Sequence, residues 1–94
     1  MTIACTLASA ELRFRRFETA ELARDALRSR RPIEHGELLT FDAQAEPALR
    51  QVVAAEARCC PFLTLELHRA GEQLELRITG PDGARPIVAE LFAT

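Results

Sequence analysis

The clearest pattern in the chain lies towards its C-terminal end. Leu63, Leu65 and Leu67 alternate with Thr64, Glu66 and His68, and Leu74, Leu76 and Ile78 alternate with Glu75, Arg77 and Thr79. A period of two places each apolar set on one face of a strand and each polar set on the other. The connection from Arg69 to Gln73 contains Gly71, so the two runs predict a hairpin. Thr2 to Leu7 reads as another strand, with Ile3, Cys5 and Leu7 alternating onto one face. Leu38 to Phe41 is a short fourth.

Helical spacing fills the intervals. A helix is predicted from about Ala10 to Arg30, with Ser9 as its cap. A second cap signal at Thr19, ahead of Leu22, Ala23, Ala26 and Leu27, implies a kink or two shorter pieces. Pro32 ends this stretch, and Glu34 to Glu37 forms a bend. Asp42 to Pro47 is a turn, with Pro47 in the first turn of the next helix. Leu49, Val52, Val53, Ala57 and Cys60 recur at helical spacing and form its predicted buried stripe. Pro61 stops the helix, which puts Cys60 at or just past its end. Gly80 to Gly83 is a turn with Asp82 as cap, and Arg85 to Ala93 is a last helix with Ile87, Val88, Leu91 and Phe92 inward.

The expected order is β-α-β-α-β-β-α. Each strand has at most one apolar face. That predicts a two-layer α+β fold, a four-stranded mainly antiparallel sheet with helices on one face. The predicted core contains Val53, Leu63, Leu65, Leu67, Leu74, Leu76, Ile78, Leu91 and Phe92.

A length of 94 residues corresponds to a single domain, 1–94, with an adequate but thin core. The first ten residues lack a basic segment, charges begin at Glu11, and no apolar run approaches the roughly 18 residues that cross a bilayer. A cytoplasmic location is therefore expected, with no membrane partner.

All of the 12 basic residues are arginine, which reads as genomic base composition first. The net charge of −2 argues against a general nucleic-acid binder. Residues 1–31 carry seven Arg against four acids, a balance of +3, while 32–94 carry five against ten, a balance of −5. The basic end reads as a solvated helix face, with a weak anion patch as the alternative.

The concentrated chemistry is Cys59-Cys60. Three cysteines, two of them adjacent, do not suggest a disulfide framework, and in a reducing cytosol they are thiols. Glu56 lies three and four residues earlier on the same helix, within reach of either thiol's neighbourhood. Adjacent residues point about 100° apart on a helix, so the pair alone makes a poor chelate, and a metal site needs a third ligand. Cys5, on the inner face of the first predicted strand, is the candidate. Three thiolates suit a soft ion such as Hg(II), Cu(I), Cd(II) or Zn(II) rather than Mg or Ca. The opposing reading is that buried cysteines are small hydrophobes. A helix C-terminus disfavours a thiolate, an effect that Arg58 offsets in part. His35 in its bend and His68 on a polar strand face read as solvated surface groups, and no ordinary zinc spacing is present. Gly80 to Ala84 has neither the spacing nor the lysine of a phosphate-binding loop.

Ile3-Ala4-Cys5-Thr6-Leu7, Glu56 to Leu63 (EARCCPFL) and Leu76 to Ala84 (LRITGPDGA) together resemble a family of small, mostly uncharacterised proteins of high-GC bacteria. Similar "CCPFL…GP" segments are associated with tails of MerR-type, heavy-metal-responsive regulators. The likeness spans most of the chain, and its specific part is about twenty residues. It implies soft-metal handling at Cys5, Cys59 and Cys60, with Glu56 beside them. It does not imply direct DNA binding, because no helix-turn-helix precedes the motif.

Three readings follow. The first is a thiol protein that binds a soft metal ion as a sensor-like or sequestering module. The second is a redox thiol protein, in which Cys59 or Cys60 exchanges with Cys5 or a partner and needs an exposed sulfur. The third is a structural or interaction domain that dimerises through the sheet's outer face or the last helix. Sulfur geometry separates them: converging sulfurs favour metal, one exposed sulfur near Arg favours redox, and buried, divergent sulfurs favour structure.

Overall fold

The computed structural model describes residues 9–93, with side chains from Arg16 to Ala93. Its elements are α1 (Ser9–Ala26), β1 (Leu27–Ile33), β2 (Gly36–Asp42), α2 (Glu46–Cys59), β3 (Thr64–Ala70), β4 (Gln73–Thr79) and α3 (Arg85–Glu90). Single 3-10 turns, Ala43–Ala45 and Asp82–Ala84, lead into α2 and α3. The four strands form one antiparallel sheet in the order β1-β2-β4-β3. The expected α+β architecture with a four-stranded antiparallel sheet is therefore present.

The two central strands carry the core. Leu39, Phe41, Leu74, Leu76 and Ile78 are fully buried. Cross-strand pairing lines up Leu39, Leu76 and Leu67 in one row and pairs Phe41 with Leu74. These side chains form one buried cluster with Ala23, Leu49 and Val88 of the helices and with Leu91 just past α3. Thr64, Glu66 and His68 are exposed, so the predicted hairpin register holds. Leu65, Leu67 and Val53 are only half-buried, short of the full burial expected. For the two leucines the reason is position: β3 is an edge strand, with a neighbour on one side only.

The first edge strand corrects the sequence reading. The helix predicted to reach Arg30 ends at Ala26, and the chain turns at once into β1. Arg28 and Arg30 have good helix propensity, yet Ser29 to Ile33 pairs with Gly36 to Thr40. Tertiary pairing overrides a weak local preference here. The edge also suits Pro32, which has no N–H to give to a second neighbour. Arg30, opposite Leu39, donates to the carbonyls of Leu91 (3.1 Å) and Val88 (3.4 Å) and to Glu37 Oε1 (2.7 Å). Its guanidinium thereby satisfies carbonyls at the end of α3, where a cation is favoured. The predicted strand Thr2–Leu7 lies outside the described residues, so the order within 9–93 is α-β-β-α-β-β-α.

Two further details differ. α1 runs unbroken through Thr19, whose buried hydroxyl donates to the Arg16 carbonyl (3.0 Å) instead of capping a second helix. α3 stops at Glu90 because Phe92 takes a positive φ of 61° and folds back against the sheet. Its ring meets Phe41 edge to face, with centroids 5.1 Å apart. At the start of β2, Gly36 is sterically required. A Cβ there would lie 1.8 Å from the Ile78 carbonyl oxygen of β4.

Candidate metal centre

The site is built by the last turn of α2. Pro47 sits in the first turn of the helix, as expected, and the helix ends at Cys59 with Cys60 as its C-cap. Cys60 has φ −126° and ψ 70°, outside the helical region, as its position before Pro61 requires. The Cys60 N–H still donates to the Glu56 carbonyl (2.8 Å), and the Cys60 carbonyl accepts from the Leu63 N–H (3.0 Å). The cysteine is thus pinned on both sides just where the helix stops.

That departure from helical geometry changes the chemistry. On a regular helix the two thiols would diverge. In the structure their sulfurs lie 3.6 Å apart. Cys59 Sγ is 3.5 Å and Cys60 Sγ 3.7 Å from the same carboxylate oxygen, Glu56 Oε2. All three residues are buried, at 3%, 4% and 2% exposure for Glu56, Cys59 and Cys60. One ligand atom from each lies within 4.8 Å of the others, an arrangement that can hold a metal ion.

Glu56 is therefore more than a neighbour of the thiols. The apolar stripe predicted for α2 placed Ala57 inward, but Ala57 is exposed and Glu56 takes the buried position. The true stripe is Leu49, Val52 and Val53, Glu56, then Cys59 and Cys60. Its spacing was available in the sequence, but a search for apolar residues passes over a carboxylate. Burying a carboxylate is costly unless it is paired, hydrogen-bonded or bound to a metal. Here two thiols converge on it.

A cavity of about 80 Å³ opens onto this group. Its walls are Glu56, Cys60, Thr19, Ile87 and Leu91, with Arg16 and Glu90 at the exposed rim. Arg16 and Glu90 form an ion pair that joins α1 to α3. Cys60 faces this space; Cys59 is not among its lining residues.

The other candidates fall elsewhere. Arg58 is exposed, outside the thiol–carboxylate group. Cys5 lies outside the described residues. His68 is exposed on β3. His35 is exposed in the β1–β2 turn, with Nε2 3.4 Å from Glu34 and Nδ1 4.0 Å from Asp82. Asp82 makes no capping hydrogen bond, against expectation, since its backbone opens the 3-10 turn before α3.

No family model, no curated protein and no solved structure matches the chain. The chemistry of the site rests on its own residues.

Proposed function

We propose that this protein binds a soft heavy-metal ion, one of Hg(II), Cu(I), Cd(II) or Zn(II), as a sensor-like or sequestering module. Cys59 and Cys60 supply thiolates, Glu56 supplies a carboxylate oxygen, and Cys5 is the third thiolate. The observation that carries the reading is the convergence of both sulfurs and Glu56 Oε2 within 3.5–3.7 Å of one another. Sulfur ligands select soft or borderline ions over Mg and Ca. A divalent cation would compensate two thiolates in a place where uncompensated charge is expensive. The likeness of EARCCPFL to segments of heavy-metal-responsive regulators points the same way.

The redox reading has less support. It needs a sulfur accessible to a partner thiol, and both sulfurs are buried. Convergence likewise speaks against cysteines that merely fill a core, since filler has no need to gather around a carboxylate.

The test is titration of the reduced protein with Cd(II) or Hg(II), read by native mass spectrometry and by the ultraviolet thiolate-to-metal absorption. One ion per chain is expected, and it should be lost in the Cys59→Ser/Cys60→Ser double variant. Failure to bind, or binding that survives the double variant, refutes the assignment.

A further inference from the structure

Two sulfurs and one carboxylate oxygen form a triangle. Its sides are 3.6 Å from Cys59 Sγ to Cys60 Sγ, 3.5 Å from Cys59 Sγ to Glu56 Oε2 and 3.7 Å from Cys60 Sγ to Glu56 Oε2. The lengths of the sides discriminate between ions. With metal–sulfur bonds of about 2.3 Å and a metal–oxygen bond of about 2.0–2.2 Å, a tetrahedral zinc ion spaces its sulfurs about 3.8 Å apart and holds each about 3.5–3.7 Å from the oxygen. The observed triangle matches one face of that tetrahedron to within about 0.2 Å. At the same bond lengths a trigonal-planar ion needs its sulfurs about 4.0 Å apart and a linear one about 4.6 Å, while an octahedral ion draws sulfur and oxygen to about 3.1 Å.

The donor types and their support point the same way. Sulfur suits soft ions and carboxylate suits hard ones, so two sulfurs with one oxygen form a set for a borderline ion. The face is also held in place. Cys60 donates its N–H to the Glu56 carbonyl (2.8 Å) and accepts from the Leu63 N–H (3.0 Å). Both cysteines belong to the buried core cluster with Leu49, Leu63 and Leu91. Spreading the sulfurs from 3.6 Å by the further 0.4–1 Å, roughly, that a trigonal or linear ion asks would press them into close-packed neighbours. Resting on the soft-metal reading, we infer that the centre is a four-coordinate, zinc-type site in which Glu56 is the ligand that sets specificity. Zn(II) uses all three atoms of the face, with the fourth vertex left to Cys5. An ion that takes sulfur alone, such as Hg(II) or Cu(I), leaves the carboxylate idle. Cd(II) shares the tetrahedral preference, with longer bonds, and keeps the zinc ligand set. Thiolates hold Hg(II) tightly wherever they meet it, so the specificity lies in what each ion asks of Glu56 and not in which ion binds most tightly.

Two measurements on the reduced full chain test this. In the first, the Zn(II) and Hg(II) affinities of the wild type and of Glu56→Gln are measured by competition against chelators of known affinity. Zn(II) affinity should fall at least about ten-fold in the variant, and Hg(II) affinity should stay unchanged. An unchanged Zn(II) affinity, or equal losses for the two ions, overturns the inference. The second measurement uses only the wild type, so it stands even where Glu56→Gln fails to fold. X-ray absorption of the zinc-loaded chain should show four ligands, with sulfurs at about 2.3 Å and an oxygen at about 2.0–2.2 Å. Co(II) in place of zinc should give the strong visible bands of a tetrahedral ion. Coordination by sulfur alone, or the weak bands of an octahedral ion, overturns the inference. Uptake of Hg(II) without uptake of Zn(II) also overturns it and leaves the soft-metal reading standing; uptake of neither ion ends both.

Discussion

Glu56 Oε2 lies 3.7 Å from the sulfur of Cys60, one helical turn further along the chain, and accepts from Cys59 at 3.5 Å as well. A single buried oxygen thus organises both thiols. Glu56→Gln keeps the shape and replaces the carboxyl group with an amide. It should weaken Cd(II) affinity by at least about 10–100-fold, since loss of even a group that only supports the ligands costs that much. Cys60→Ser should weaken it further, since a soft ion loses a sulfur ligand. Competition against a chelator of known affinity measures both. Unchanged affinity in Glu56→Gln would place the carboxylate outside the site.

Cys5 is tested by comparing two losses. If Cys5 is the third thiolate, Cys5→Ser should reduce metal affinity far more than it reduces the stability of the metal-free protein. Chelator competition and urea unfolding of the same preparation give the two numbers. Equal losses would assign Cys5 to packing alone.

Metal affinity should rise with pH. A thiol must lose its proton to become a ligand, so binding through Cys59, Cys60 and Cys5 releases about three protons per ion, and about two in Cys5→Ser. Titration in weakly buffered solution, with proton release read directly, checks the count. A release near zero would mean that the thiols are not the ligands.

Glu46 gives a separate pH effect at the other end of α2. Its carboxylate binds Arg50 at 2.7 Å and Arg69 of β3 at 3.0 Å. The hydrogen bond from Arg50 is the main cause of a pKa held below its ordinary 4.5; partial burial opposes the shift, and Arg69 adds to it. A carboxyl group with a lowered folded-state pKa stabilises the fold above its unfolded value and loses that contribution as pH falls through the lowered one. Wild type should therefore exceed Glu46→Gln in stability at neutral pH, with the gap closing in acid below about 4.5. Urea midpoints at pH 7 and pH 3 test this. A gap that persists undiminished at pH 3 would show that charge at Glu46 is not its source.

Phe92 closes the core from an unusual backbone position. A positive φ in a residue with a side chain costs about 1–2 kcal/mol, while burying a ring of this size is worth more. Phe92→Ala should destabilise the protein by about 3–5 kcal/mol, measured by chemical denaturation. A loss below about 1 kcal/mol would mean that the contact with Phe41 contributes little.

Much of this molecule was legible in one dimension. Strict alternation at Leu63 to Leu67 and Leu74 to Ile78 has only one reading, because a one-residue slip would bury Glu66 and His68. Pro47 and Pro61 bracket α2 because proline is tolerated in a helix's first turn and disfavours helix in the residue before it. These local constraints were enough to locate Cys60 at the helix end. Three features depended on distant contacts. Leu27 to Ile33 became a strand because β2 offered it a free edge, and Arg30 found the carbonyls ending α3 there. Glu56 turned inward in place of Ala57, a choice decided by what α2 packs against and not by the polarity of either residue. The convergence of the two sulfurs followed from a single non-helical residue, Cys60, held by hydrogen bonds on both sides. Sequence spacing assigns each side chain a direction along an ideal element; only the folded chain decides where an element leaves its ideal path, and in this protein that departure makes the site.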